Sequence, residues 1–189
     1  MRGFFAVGAM GISKAMNAGA IFRTAHAFGA SFVFTVGAAY TREEGGLADT
    51  SDTPANVPFY EFPDLDSLLL PDGCSLVAVE LADDAVELPS FRHPRRAAYL
   101  LGPERGSLAP EVLDRCDHVV KIPTRFCVNV SVAAALVMYD RVQSMGRFAP
   151  RPVGPGGPIA APPEHVSGGP KYRRAVAGFR AAPPGYDGA

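Results

Sequence analysis

The sequence predicts an α/β fold, a mostly parallel sheet with helices on both faces. Three observations carry this. Short apolar runs of strand length alternate with segments of helical periodicity along residues 4–145. Two of the strands, Tyr99-Leu-Leu101 and the one ending at Ile122, run into loops rich in glycine, proline or polar residues. Such junctions are the ordinary place for a small-molecule pocket at the ends of parallel strands. A helix of very small residues, Ser131-Val-Ala-Ala-Ala135, follows the second junction, so something must approach its backbone closely.

Taken in order, Phe4–Val7 reads as a first buried strand. Met16–Phe28 reads as a helix with Asn17 near its start and Gly29 as its stop. Ser31–Val36, β-branched and aromatic, is a second strand, and the polar residues 37–56 form a loop. Val57–Phe62 is a short strand, and Leu65–Leu70 a short helix ended by Pro71-Asp-Gly. Ser75–Glu80 is a strand and Glu87–His93 is irregular. Ala97–Leu101 is a strand, and Pro110–Arg115 a helix opened by its proline. His118–Ile122 is the last strand. Val130–Met145 is the last long helix, with Asn129 placed to cap its exposed N–H groups.

Composition narrows the class. The chain has 189 residues, 48% of them hydrophobic, enough for one domain with a sizeable core. Its N-terminus loosely resembles a signal peptide. It reaches Ser13, Lys14 and Asn17 without a long apolar core, so a strand of a cytoplasmic protein is expected there. No apolar run is long enough for a membrane span. Cys74, Cys116 and Cys127 have no zinc or disulfide spacing, and His26, His93, His118 and His165 are scattered, so no metal is expected. A phosphate-binding GxxxxGK[ST] loop is absent.

The net charge of −1 does not advertise a nucleic-acid binder, but the charge is unevenly spread. Residues 41–90 carry twelve acidic side chains against the single basic Arg42, so any RNA track must lie elsewhere. Residues 149–189 form a proline- and glycine-rich tail, expected to be disordered, whose basic residues include Lys171, Arg173, Arg174 and Arg180. One or two helical turns are expected at Lys171–Phe179.

Three motifs then stand in order. They are Asn17-Ala-Gly-Ala-Ile-Phe-Arg-Thr-Ala-His-Ala-Phe-Gly29, Leu101-Gly-Pro-Glu-Arg-Gly106, and Ile122-Pro123 followed by Asn129-Val-Ser-Val-Ala133. On these motifs the chain resembles the SpoU/TrmH branch of the SPOUT RNA methyltransferases over roughly residues 3–142. The resemblance implies a C-terminal deep trefoil knot, a homodimer, and S-adenosylmethionine as methyl donor. It implies transfer to a ribose 2′-hydroxyl of tRNA or rRNA, with tRNA favoured.

The resemblance also assigns residues. Arg23, Asn17, Glu104 and Asn129 are the expected catalytic group. Val79, Glu80, Leu101, Gly102, Ile122, Pro123, Cys127 and Val128 are the expected cofactor pocket. Arg23 stands where the family has its key arginine; free arginine essentially never loses its proton, so phosphate binding and positioning fit it better than general-base work. Gly102 lets the adenosine lie against the strand end. Two departures stand out: the Pro123–Asn129 loop is shorter than in many relatives, and Cys127 replaces a common serine. Base-nitrogen methylation and a catalytically silent RNA-binding protein are the alternative readings.

Overall fold

A computed structural model describes residues 3–39, 56–146, 148–149, 151–152 and 154–157. Met1–Arg147 form one compact unit and Phe148–Ala189 a second. Among the described residues of the second unit none is helical or in a strand. The tail expected beyond 148, with its Lys171–Phe179 turns, lies largely outside the described residues, as does most of the expected 37–56 loop.

In chain order the first unit runs β1 (Phe4–Met10), α1 (Ala15–Phe28), β2 (Phe32–Val36), β3 (Phe59–Phe62), β4 (Ser75–Val79) and β5 (Val86–Glu87). A 3₁₀ turn at Leu88–Ser90 leads to β6 (Arg96–Leu101), α2 (Pro110–Leu113), β7 (His118–Lys121) and α3 (Val130–Met145). The strands form one sheet in the order β3-β2-β1-β6-β4-β7-β5, and every neighbouring pair is parallel.

Alternation along the strands builds two apolar layers. Phe5, Val7, Val77, Tyr99 and Val120 face α1 and α3, which bring Ile21, Phe22, Val137 and Met138. Ala6, Phe34, Ala78 and Leu100 face the other way, toward Val112 of α2 and the loop residues Leu65 and Leu108. Helices therefore cover both faces. The middle of the sheet is crowded: a Cβ at Gly8 of β1 would stand 2.4 Å from the Phe34 ring on β2.

The helix ends follow their local chemistry. Gly29 takes the left-handed conformation, φ 74°, that closes α1, and its N–H reaches the Ala25 and His26 carbonyls. Asn129 caps α3, its side-chain oxygen accepting from the Ser131 N–H at 2.8 Å. The small residues of α3 meet α1, which buries Ala18, Gly19 and Ala25.

Two expectations are corrected. Leu65–Leu70 is not a helix. The Asp64 carboxylate accepts from the Ser67 N–H at 2.8 Å while the Ser67 hydroxyl donates to the Asp64 carbonyl, closing one tight turn before Pro71. Within Glu87–His93, expected to be irregular, Glu87 belongs to β5. That two-residue strand takes its order from β7 rather than from its own sequence.

Away from the strand C-termini lies a buried polar cluster. Arg141 of α3 is only 4% exposed and donates to the carbonyls of Pro94 (2.7 Å), Arg95 (3.0 Å) and Phe4 (3.1 Å) and to the Tyr99 hydroxyl (3.0 Å). Its guanidinium also lies 5.3 Å from the Phe5 ring centroid. Tyr99 meets His93 Nδ1 at 2.6 Å, and His93 Nε2 meets Asp140 at 2.9 Å. The contacts form one consistent chain if Arg141 donates to Tyr99, Tyr99 to His93 and His93 to Asp140. Burial pushes the His93 imidazole below its usual value, against the opposing pull of Asp140.

A candidate active site at the strand ends

A cavity of about 280 Å³ opens where β4, β6 and β7 end. Its apolar walls include Val79, Leu101, Ile122, Val128 and, from α3, Ala133. The Gly102-Pro-Glu104 turn after β6 forms one side, and Thr124, Cys127 and Asn129 of the β7–α3 loop another. The position agrees with the general rule that parallel sheets bind ligands beyond the carboxyl ends of their strands.

Glu80, the first residue after β4, fastens two cavity loops. Its Oε1 accepts from the Leu81 N–H at 2.9 Å and its Oε2 from the Leu108 N–H at 2.8 Å. A carboxylate with one donor on each oxygen keeps lone pairs for two more, which suits a ribose diol. Gly102 stands against the same group: a Cβ there would lie 3.3 Å from Leu108 Cγ and 3.4 Å from Glu80 Oε2. These walls fit S-adenosylmethionine: apolar surface for the adenine, open backbone at Gly102, and a carboxylate for sugar hydroxyls.

The three sequence motifs meet here. α1 begins at Lys14 with no side-chain cap of its own. Glu104 supplies one across 90 residues, accepting from the N–H groups of Ser13 (3.0 Å) and Lys14 (2.9 Å). It also accepts from Asn17 Nδ2 at 3.0 Å. Asn17 in turn accepts from Asn129 Nδ2 at 3.2 Å, and Asn129 Oδ1 accepts from the Ser131 hydroxyl at 2.7 Å. One relay, Glu104–Asn17–Asn129–Ser131, thus ties α1, the β6–α2 loop and α3 together. Asn17 is not a simple helix cap; it joins the other two motifs.

Burial alone would raise the Glu104 carboxyl, but the Ser13 N–H, the Asn17 amide and the Lys14 N–H outweigh it and lower it to about 2 from 4.5. Because the folded value lies below the unfolded one, this group stabilises the fold above about pH 4.5 and ceases to as pH falls toward 2. We expect Glu104→Gln to remove that part of the acid sensitivity. Urea denaturation at pH 6 and pH 3 checks it; an equal loss in both proteins would assign the acid sensitivity elsewhere.

Of the expected residues, Asn17, Glu104 and Asn129 come together, and Val79, Glu80, Leu101, Gly102, Ile122, Cys127 and Val128 all line the cavity. Pro123 lies in the loop between two lining residues without lining the cavity itself. Arg23 does not line it: it is exposed on α1, six residues and about 9 Å along the helix axis beyond Asn17. Lys14, Leu81, Pro103, Gly106, Thr124, Val130 and Ala133 also line the cavity and were not among the expected site residues. Four of them lie inside the motifs, Thr124 follows Pro123 and Leu81 follows Glu80, while Lys14 carried no signal of its own.

The model of the SpoU rRNA Methylase family matches residues 5–139, spanning every strand of the sheet and all three motifs. The chain belongs to the SpoU methylase family. A curated relative, the tRNA (guanosine(18)-2′-O)-methyltransferase of Escherichia coli K12, is 31% identical over 134 residues, covering 68% of this chain and 58% of that protein. The chain therefore spans a little over half the length of the curated relatives it matches. The AdoMet complex of the SpoU methyltransferase AviRb from Streptomyces viridochromogenes superposes with a TM-score of 0.69 at 21% identity, over 77% of this chain and 59% of that one. That likeness shows the fold. A structure described as giving insight into 2-OH methylation of C/U34 on tRNA has a TM-score of 0.66 at 26% identity, over 77% of this chain and 99% of that one.

Proposed function

We propose that this SpoU-family chain is an S-adenosylmethionine-dependent RNA methyltransferase acting on a ribose 2′-hydroxyl, with tRNA as substrate. The observation that carries the reading is the Glu104–Asn17–Asn129 relay at the edge of a cavity suited to the cofactor. The 2′-O activity named for the Escherichia coli relative supports it. When bound, S-adenosylmethionine supplies an electrophilic methyl group and leaves as a neutral thioether. Val79, Leu101, Ile122 and Val128 exclude water around the adenosine, and Glu80 takes ribose hydroxyls. The relay holds the first turn of α1 in register with the cavity, so that the hydroxyl can be aligned with the methyl group.

Glu104, lowered to about 2 and already accepting from four donors, is a poor proton acceptor. That argues against Glu104 as the carboxylate base of a base-nitrogen methylation. For the ribose reaction the hydroxyl proton passes to water as the carbon–oxygen bond forms, and placement supplies most of the rate. Arg23 is assigned to an RNA phosphate, which its exposed position allows.

Four further features belong to the proposal. β7 lies between β4 and β5, which are neighbours in sequence, so the 80–85 segment bridges over it. This supports a trefoil knot in which the chain beyond β7 threads that segment. Val132, Leu136 and Tyr139 form an exposed apolar stripe on α3, which supports a homodimer. Among the described residues no helix is long and apolar enough to cross a membrane, which is compatible with work on cytoplasmic RNA. The Pro/Gly-rich tail would add phosphate contacts.

The test is nucleoside analysis of tRNA incubated with the protein and methyl-labelled cofactor. A labelled 2′-O-methyl nucleoside is expected. A labelled base would favour the nitrogen reading, and no label the silent one. Arg23→Lys is expected to lose about tenfold or more in kcat/KM for RNA with cofactor binding unchanged, because an ammonium cannot reproduce the guanidinium fork. Full activity in that variant would remove the fork from the argument.

A further inference from the structure

Thr124 and Cys127 line the cavity, and between them stand Arg125 and Phe126. Both are exposed, Phe126 at 78%. A phenyl ring held in water at the edge of a binding cavity adds nothing to the core, and such surface marks an interaction site when other features converge on it. Here cations converge. Lys14 lines the cavity, and Arg105 sits between the lining residues Glu104 and Gly106. Among the described residues none of Lys14, Arg105 and Arg125 is in an ion pair. The two carboxylates of the cavity, Glu80 and Glu104, are instead occupied by backbone N–H groups. Three cations against these two carboxylates leave the rim a positive excess on a chain whose net charge is −1.

We propose that Arg125 and Phe126 form the docking platform for a single-stranded stretch of the RNA substrate. A base beside the target nucleotide stacks on Phe126, while Arg125, Lys14 and Arg105 take the flanking phosphates. This rests on the reading of the protein as an RNA methyltransferase and deepens it: the substrate is loop RNA with an unstacked base rather than a duplex. A 2′-oxygen can be brought to the cavity only where the chain is splayed, and every base offers a face to an aromatic ring. Phe126 is a positioning residue, acting on RNA placement and not on the cofactor.

The absence of tryptophan makes the test direct. In the full chain, Phe126→Trp installs a single indole, whose emission is followed during titration with an unstructured oligoribonucleotide. Saturable quenching is expected, absent with S-adenosylmethionine alone and weakened by salt. Phe126→Ala is expected to raise the KM for tRNA about tenfold or more, with kcat and cofactor affinity within twofold of the parent. Emission that is blue-shifted and indifferent to RNA would place the side chain against a second copy and overturn the proposal. So would an unchanged KM in Phe126→Ala while the parent methylates tRNA. A parent protein that transfers no methyl group to RNA overturns the underlying reading as well, and this outcome is distinguishable because it precedes any variant.

Discussion

Replacing Gly102 with valine is expected to raise the dissociation constant for S-adenosylmethionine by about a hundredfold or more while leaving the protein folded. The added Cβ already meets Leu108 Cγ at 3.3 Å, closer than a relaxed contact, and touches Glu80 Oε2 at 3.4 Å. The two further methyl groups must then turn into the cavity or push the Glu80 carboxylate off the Leu81 and Leu108 N–H groups. On the proposed placement either movement displaces the adenosine, and a hundredfold loss corresponds to only about 2.7 kcal/mol. Gly102→Ala, with the Cβ alone, should fall between. Calorimetric titration measures the affinity, and a thermal melt confirms that the strand core has survived. Parental affinity in the valine variant would mean that the cofactor does not lie against Gly102.

Removing Arg141 acts on the fold rather than the site. Arg141→Met is expected to lower stability by about 3 kcal/mol, roughly ten degrees in Tm for a unit of this size. The reason is the number of groups left unpaired: the carbonyls of Phe4, Pro94 and Arg95 and the Tyr99 hydroxyl all lose a donor at once. Methionine fills the space but donates nothing. Arg141→Lys should recover part of the loss, since one ammonium cannot reach every acceptor that the fork spans. Urea denaturation gives the number. A loss below about 1 kcal/mol in the methionine variant would show that water satisfies those carbonyls instead.

The cavity lining was legible where motif and geometry coincide. Val79, Leu101 and Ile122 end, or directly follow, strongly apolar strands, so periodicity places them at the mouth of a parallel sheet. Asn129 was legible for the same reason: an asparagine before a helical run has one common use. Arg23 shows the limit. Its spacing from Asn17 marks it, but spacing says nothing of which way a helix turns once its buried face is chosen, and here that choice leaves Arg23 exposed and off the cavity. Arg141 was missed because a lone arginine near the end of a helix reads as solvated. Its burial depends on carbonyls from β1 and the Pro94–Arg95 segment, which only the tertiary fold brings near. Leu65–Leu70 failed in the opposite sense, a leucine-rich run overruled by one Asp64–Ser67 turn.

The place of β7 between β4 and β5 constrains the order in which the protein can assemble. Among the described residues β5 has no sheet neighbour other than β7, and it lies ahead of it by about thirty residues of chain. During synthesis Val86 and Glu87 therefore emerge with nothing to pair to. They must wait in an unfinished loop until His118–Lys121 arrives and fills the gap. Lys121, whose ammonium donates to the Ala82 and Asp83 carbonyls at 3.2 and 3.0 Å, then latches that loop from below. The cavity cannot exist before this step, because Ile122, Cys127 and Asn129 come after it. Binding competence should thus appear last in refolding, later than the bulk of the helical signal, and a chain released short of β7 would be unable to hold the cofactor however well its first strands had formed.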